Sequence, residues 1–361
     1  MKAAQINEYG AARDVFRLLC DVPRPEPEAD EVLIRNRATS INPVDCAARS
    51  GYGQNFFSRL GWGDLPMVFG RDACGEIVAK GSEVENLQIG DEVYAAPPIG
   101  CYAEFVKVKG AHAALKPRNI SHAETASLPF IALTAWTALV TEAGLTPDNA
   151  RGKKIVVPRA AGGVGSFAVQ LLKAWGAEVA AICSTRNVAL VERLGADVVI
   201  DYTRQDFRDY LHDYDVAIDL IGRKSDFDEL DSDYKGGAET TDGCNYDEQL
   251  MSVLKRDAGA VYVTVCSPKV ALTNQYGFEE GMRRAELEYQ QRAAAAKEAG
   301  LGYRWSFFNA DAAALNEIAQ MLESGTIKPV IDRTYALNEI VEAHEYCETK
   351  QAQGKIVVEI E

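Results

Sequence analysis

The residues with the most specific chemistry lie between Lys154 and Arg186, in KIVVPRAAGGVGSFAVQLLKAWGAEVAAICSTR. The turn Ala160-Ala161-Gly162-Gly163-Val164-Gly165 follows a β-branched run, Ile155-Val156-Val157, and opens a helical pattern carrying Phe167, Leu171, Leu172 and Trp175. Gly176 stops that pattern, and Ala177 to Cys183 reads as a second buried strand. Glycines at a strand-to-helix turn let backbone N–H groups and the helix N-terminus approach an anion, which is how a dinucleotide pyrophosphate is bound. The first glycine of GxGxxG is Ala160 here, so the strand before the turn and the helix after it carry the assignment. The other reading of the same residues is an ordinary tight turn.

The end of the second strand predicts which dinucleotide. NAD sites place Asp or Glu there for the ribose hydroxyls. Ser184 occupies this position and Arg186 follows. A carboxylate repels a 2′-phosphate, whereas a hydroxyl and a guanidinium attract it, so the pair predicts NADPH. The alternative for Arg186 is a solvated surface charge.

A metal is not expected. Eight cysteines, at 20, 46, 74, 101, 183, 244, 266 and 347, form no CxxC pair, and the histidines at 112, 122, 212 and 344 fall outside the motifs.

These residues need elements to position them, and 361 residues are enough for two domains. Residues 1 to about 125 show short β segments, among them Glu31–Arg35, Gly75–Val78, Asp91–Tyr94 and Tyr102–Val108, with glycines between them. From Ser121, with Glu124 at capping-box spacing, the pattern is helical through Val140. Strands at Val198–Tyr202, Asp215–Asp219 and Ala260–Val265 alternate with helical stretches, which predicts a parallel, doubly wound sheet. A charged helix is expected over 276–300 and an aromatic strand over Tyr303–Phe308; a helix ending at Gly325 and closing strands at Val330-Ile331 and Lys355–Ile360 come next. The acidic stretch 224–243 reads as a solvated insertion. With 53 acidic against 38 basic side chains, a net charge of −15 excludes general binding of nucleic acid. No apolar run is long enough to span a membrane. The start, Met1-Lys2-Ala3-Ala4-Gln5-Ile6, has neither a signal nor a transit composition, which predicts a cytoplasmic protein.

Asn42-Pro43-Val44-Asp45, Arg49-Ser50-Gly51-Tyr52-Gly53, Gly70-Arg71-Asp72, Gly90-Asp91-Glu92-Val93 and Leu133-Thr134-Ala135-Trp136 follow one another in the chain. Together with the nucleotide turn and Tyr303–Phe308, they resemble the zinc-free medium-chain dehydrogenases/reductases of the quinone oxidoreductase (zeta-crystallin-like) branch, and within it the reticulon-interacting NADPH oxidoreductases of mitochondria. The resemblance covers almost the whole chain. It implies an α/β protein in which a Rossmann doubly wound parallel sheet (127–308) is inserted in a GroES-like β-rich catalytic domain (1–126 and 309–361). It also implies a substrate cleft at their junction, and a homodimer joined through Rossmann sheet edges. Asn42 and Arg71 stand where zinc-dependent relatives have a cysteine and a histidine, so no zinc is implied.

The same resemblance assigns roles. Thr134, Ala161, Gly162, Gly163, Val164, Gly165, Ser184, Arg186, Tyr202, Leu220, Val265 and Phe308 would bind NADPH, Tyr202 against the 2′-phosphate. Tyr52 takes the place of the proton-donating tyrosine of related enoyl thioester reductases; the alternative is an aromatic turn residue packed over the cleft. Asn42 could donate to the same oxygen through its amide, and Asp45 either fixes the loop or takes a proton. Pro158-Arg159 departs from the family, which has a small residue before the turn; Arg159 either reaches the phosphates or points away. The implied reaction is hydride transfer to a quinone or an α,β-unsaturated carbonyl. A 2-enoyl-thioester reductase and a low-turnover NADPH-binding scaffold are the alternatives.

Overall fold

A computed structural model describes residues 1–62, 64–222, 245–256 and 259–360; the insertion expected over 224–243 lies outside the described residues. The chain forms two compact units, Met1–Leu133 with Asn309–Glu361, and Thr134–Phe308.

The first unit is mostly antiparallel sheet. β1 (Ala3–Ile6), β2 (Phe16–Leu19), β3 (Glu31–Ile41), β4 (Met67–Val68), β5 (Ala73–Lys80), β6 (Glu92–Ala95), β7 (Phe105–Lys109) and β8 (Ala113–Leu115) precede the second unit in sequence. β3 is the organising strand: its first half pairs β5 and β7, and its last four residues pair the returning C-terminal strand. Two register shifts against β5 bend β3 enough to serve these partners. The β-branched and apolar residues that alternate along the strands build one cluster around Val32, Ile34, Ile77 and Val93. A second gathers Ile6, Phe16, Tyr102, Leu337, Ile356 and Val358. The helix Ala312–Glu323 buries Leu315, Ile318 and Leu322, and Tyr94 donates to the Leu315 carbonyl (2.5 Å). Asp311 starts that helix by accepting from the N–H groups of Ala313 (2.8 Å) and Ala314 (3.1 Å).

The second unit contains β9 (Lys154–Pro158), β10 (Glu178–Cys183), β11 (Val198–Asp201), β12 (Val216–Asp219), β13 (Val261–Thr264) and β14 (Gly302–Trp305). They lie in the order β11-β10-β9-β12-β13-β14, and every pairing is parallel. Chain order thus runs outward in both directions from β9, which is the doubly wound arrangement, and the carboxyl ends of all six strands share one edge. β15 (Ile331–Ala336) and β16 (Lys355–Glu359) close the chain on the first unit, where β16 pairs β3.

Several elements differ from their sequence expectation. The helical stretch after Ser121 is three pieces, His122–Ala126, Pro129–Trp136 and a π-helical turn Thr137–Glu142, because Ser127 ends the first and Pro129 starts the next. The expected helix over 276–300 is Phe278–Glu298, and a separate helix, Lys269–Tyr276, precedes it across Gly277 (φ 80°). The aromatic strand stops at Trp305, and the strand expected at 330–331 runs from Ile331 to Ala336.

Replacing Asp311 by Ala removes two hydrogen bonds from the first turn of a helix whose face is core, at a cost of about 1 kcal/mol. The expected result is a lower urea midpoint for D311A; an unchanged midpoint with unchanged slope would show that the cap contributes nothing.

Candidate functional site

The nucleotide half is built on the shared carboxyl edge of the second unit. β9 ends at Pro158, where a missing N–H costs no ladder bond beyond the strand end. Arg159 takes a left-handed backbone (φ 49°), and its carbonyl accepts from Gly162 N–H (2.9 Å), closing the turn. Gly162 is the N-cap of the helix Gly163–Ala174 and offers no capping side chain, so the first-turn N–H groups of Gly163, Val164 and Gly165 have no side-chain oxygen from the cap. A Cβ on Gly165 would lie 2.3 Å from the Arg159 carbonyl oxygen, so only glycine lets the helix pack this close to the strand end. These features fit a pyrophosphate.

Beyond β10 and β11 the sheet register brings the ribose-end residues together. Cys183 is level with Asp201, and the Tyr202 N–H donates to the Cys183 carbonyl (3.1 Å), so Ser184 and Tyr202 leave their strands side by side. The Ser184 hydroxyl accepts from Asn187 Nδ2 (3.1 Å); Arg186 and Tyr202 are exposed. Sequence reasoning missed Asp201, whose carboxylate accepts from Thr185 Oγ1 (2.6 Å) and Thr203 Oγ1 (2.7 Å). Those hydrogen bonds, Thr185 first, hold it below the usual carboxylate range and occupy both of its oxygens. It also missed Asp219 at the end of β12. This fully buried carboxylate accepts from Tyr262 OH (2.6 Å), Thr264 Oγ1 (3.2 Å), and the N–H groups of Ile221 (2.9 Å) and Gly222 (3.0 Å). It thereby fixes the loop that presents Leu220 and holds the end of β13 from which Val265 emerges. An Asp closing a Val-Ala-Ile strand was the available signal. Phe308 ends this unit three residues after β14, and Thr134, in the helix Pro129–Trp136, begins it.

The first unit holds a second group of candidate residues. Gly51 (φ 108°) and Gly53 (φ 79°) flank Tyr52 with left-handed turns, and the Tyr52 N–H donates to the Ala47 carbonyl (3.0 Å) at the end of the helix Pro43–Arg49. Tyr52 lines a pocket with Phe57, Trp62, Met67, Phe69 and Arg71. Beneath lies a buried polar cluster. Asn42 Nδ2 donates to Asp72 Oδ2 (2.8 Å) and Asp45 Oδ2 (3.2 Å), and its Oδ1 accepts from Lys355 Nζ. Asp72 also accepts from Ser40 Oγ (2.5 Å) and the Phe130 N–H (2.7 Å). The backbone N–H of Asn42 (3.0 Å) and Tyr102 OH (3.3 Å) donate to Asp45 Oδ2. His344, also buried, joins Tyr102 OH (3.2 Å) to Cys46 Sγ (3.3 Å). Burial holds its imidazole neutral, well below the usual histidine range.

Asn42 is 1 % exposed and both amide protons are given to carboxylates, so in this arrangement it does not offer the donation to a substrate oxygen that its sequence position suggested. Asp45 caps the loop reciprocally with Asn42 and is equally buried. Burial pushes its carboxyl up to about 6; the nearby Arg71 charge opposes the shift, Asp72 adds to it, and the Asn42 N–H and Lys355 oppose it. Neither Asn42 nor Arg71 suits zinc, since a guanidinium has no lone pair to give. Among the described residues, no group of three or more His, Cys, Asp and Glu is placed to hold a metal.

Comparison with known proteins agrees with this layout. Residues 28–118 match the family described as "Alcohol dehydrogenase GroES-like domain" and residues 194–358 the family described as "Zinc-binding dehydrogenase". The chain is 36% identical over 375 residues to the Mus musculus protein named "NAD(P)H oxidoreductase RTN4IP1, mitochondrial", with 100% of this chain and 89% of that protein covered. It is 32% identical over 373 residues to the Solanum lycopersicum 2-methylene-furan-3-one reductase, covering 99% and 79%. The structure of the quinone oxidoreductase from Coxiella burnetii superposes with a TM-score of 0.78 at 27% identity, covering 100% of this chain and 99% of that one. The cytoplasmic location expected from the first residues is overturned by the mitochondrial names of the mouse protein and its namesakes in zebrafish, cattle and human.

The raised Asp45 pKa has a measurable consequence. A carboxyl whose pKa is higher folded than unfolded stabilises the fold while protonated, fully below about pH 4, and that contribution is lost as pH rises through about 6. Asp45→Asn cannot ionise. Between about pH 4 and 7 the wild type is expected to lose up to about 3 kcal/mol that D45N keeps, measured by urea denaturation of both proteins. Parallel stability–pH profiles would sink the assignment.

Proposed function

We propose that this chain, which belongs to the medium-chain dehydrogenase/reductase superfamily and is an NAD(P)H oxidoreductase, uses NADPH to reduce a quinone or an α,β-unsaturated carbonyl without a metal. The observation that supports the reading is that Ser184 and Tyr202 leave neighbouring strands side by side, with Arg186 exposed in the turn Thr185–Asn187 that follows Ser184. A hydroxyl and a guanidinium favour a 2′-phosphate, and the carboxylate of Asp201, level with Cys183, is turned to Thr185 and Thr203. Ala161 to Gly165 would take the pyrophosphate at the helix N-terminus. Leu220, Val265, Phe308 and Thr134 would line the remaining dinucleotide path.

The relatives support the acceptor class. A 2-methylene-furan-3-one is a carbon–carbon double bond conjugated to a ring ketone, and a quinone is likewise a conjugated carbonyl. The bound nicotinamide supplies the hydride. The aromatic walls of the Tyr52 pocket suit a flat acceptor, and Tyr52 would give the proton, since a phenol is protonated at neutral pH. Asn42 and Asp45 act as positioning residues that hold the loop below Tyr52. Location in mitochondria and a homodimer joined through Rossmann sheet edges belong to the same reading.

The test is consumption of NADPH and of NADH with 1,4-benzoquinone, an enone and crotonyl-CoA. NADPH oxidation with the first two acceptors is expected. Turnover of crotonyl-CoA alone would favour an enoyl-thioester reductase, and equal use of both dinucleotides would refute the Ser184/Arg186 argument. Arg186→Ala should raise the KM for NADPH by about tenfold to a hundredfold, the worth of a hydrogen bond to a charged group, and leave that for NADH unchanged.

Tyr52→Phe should lower kcat by about a hundredfold, the scale of general acid catalysis, with little change in KM. An unchanged kcat with both acceptor types would remove Tyr52 from the mechanism.

A further inference from the structure

Arg71 is 9 % exposed, yet the only polar contact of its guanidinium among the described residues is Nε to Asp45 Oδ1 at 3.4 Å, too long and too poorly aligned for a hydrogen bond. Three rings surround it, with Phe57 at 5.4 Å and Trp62 and Phe130 at 5.8 Å from the guanidinium carbon. The same side chain lines the pocket that contains Tyr52. A largely buried cation with five donors, held by one carboxylate without a hydrogen bond and walled by aromatic faces, has donors to give to an oxygen that enters the pocket.

We propose that Arg71 is a catalytic residue whose guanidinium receives the acceptor's carbonyl oxygen and stabilises the negative charge that reduction places on it. The inference rests on the reductase reading above. Hydride addition brings an electron pair to carbon; the displaced π pair moves through the conjugated system onto the carbonyl oxygen; a proton then completes the hydroquinone or the saturated ketone. The charge develops on the oxygen, where a preorganised donor has its largest effect. An arginine is suited to this because it stays protonated even where burial works against its charge, as it does here. Asp45 is the positioning residue. Fixed by the Asn42 N–H and by Tyr102, it keeps Nε in place and leaves the two terminal nitrogens of the fork for the ligand. The pocket should therefore prefer flat acceptors with an exposed carbonyl oxygen over rings of the same size without one.

The experiment uses the full chain with 4-nitrophenolate, a flat ring bearing an oxyanion, and nitrobenzene as its neutral counterpart, each titrated without cofactor. Wild type is expected to bind the phenolate at least about tenfold more tightly than nitrobenzene, the scale of one charge-assisted hydrogen bond. Arg71→Gln should lose that preference while still binding nitrobenzene, and Arg71→Lys should keep part of it. In turnover, Arg71→Ala should lose about a hundredfold to a thousandfold in kcat, the worth of an oxyanion donor, and recover activity when guanidinium ion is added. Equal binding of the two probes by wild type, or an unaltered preference in R71Q, overturns the inference. If wild type reduces quinone and R71K and R71Q match its kcat, the inference fails and the reductase reading stands. If phenolate binding depends on Arg71 but wild type oxidises no NADPH with any acceptor, the reductase reading fails and the catalytic role fails with it.

Discussion

The first unit is organised around a buried set of charges that must neutralise one another. Asp72 is fully buried, and Lys355, at 4 % exposure, stands 3.7 Å from it while donating to the Ile41 carbonyl and to Asn42. Asp45 and Arg71 form the second pair, and Asn42 links the two by giving a proton to each carboxylate. Removing any one partner would strand a desolvated charge, which costs about 3–5 kcal/mol. The cluster therefore dictates where the C-terminal strand lies. Lys355 begins β16, and its ammonium reaches Asp72 and Asn42 when β16 pairs the last residues of β3. The GroES-like unit is completed by residues more than three hundred positions downstream because that is where its compensating cation is.

The second unit solves the same problem with neutral donors. Among the described residues Asp219 has no cation in its hydrogen-bond shell; two hydroxyls on β13 and two backbone N–H groups of the loop after β12 satisfy it. A carboxylate that takes backbone N–H groups fixes loop shape more tightly than one paired with a flexible lysine. The carboxyl edge of the sheet is thus tied down at β12 and β13, whereas Arg186 and Tyr202 beyond β10 and β11 are exposed.

The Rossmann unit was legible because its signals are local. A β-branched strand, a glycine turn and a helix stopped by Gly176 occupy consecutive residues, and right-handed crossovers leave little freedom in the strand order. The first unit was legible only as short strands with turns. Its central strand was read as Glu31–Arg35, although it continues to Ile41, because the apolar–polar alternation fails where polar Asn36, Thr39 and Ser40 are buried, Asn36 and Ser40 in polar contacts. Those contacts are made to Cys101 and Asp72, far away in sequence, so no window of β3 reveals them. Asn42 illustrates the same limit: its position suggested a donor to substrate, and only the arrangement of two carboxylates around it accounts for both protons.

Arg71 is the residue on which sequence and structure bear most differently. In sequence it registered as the loss of a zinc ligand, since a guanidinium cannot coordinate a cation. In the fold it is a cation itself, set in the Tyr52 pocket. A metal in this architecture would polarise a carbonyl by placing positive charge near its oxygen, and a buried guanidinium offers the same electrostatics with directed N–H donors. The substitution also explains the company Arg71 keeps. A zinc site needs neutral or thiolate ligands and little else, whereas a permanent organic cation requires a counter-ion, and Asp45 stands 3.4 Å away. Burial raises the Asp45 carboxyl only to about 6, so it is still largely ionised at neutral pH and serves as the counter-ion, although no hydrogen bond joins it to Nε. Burial raises the Asp45 pKa and Arg71 opposes that rise, so the cation is held by one carboxylate and three aromatic faces.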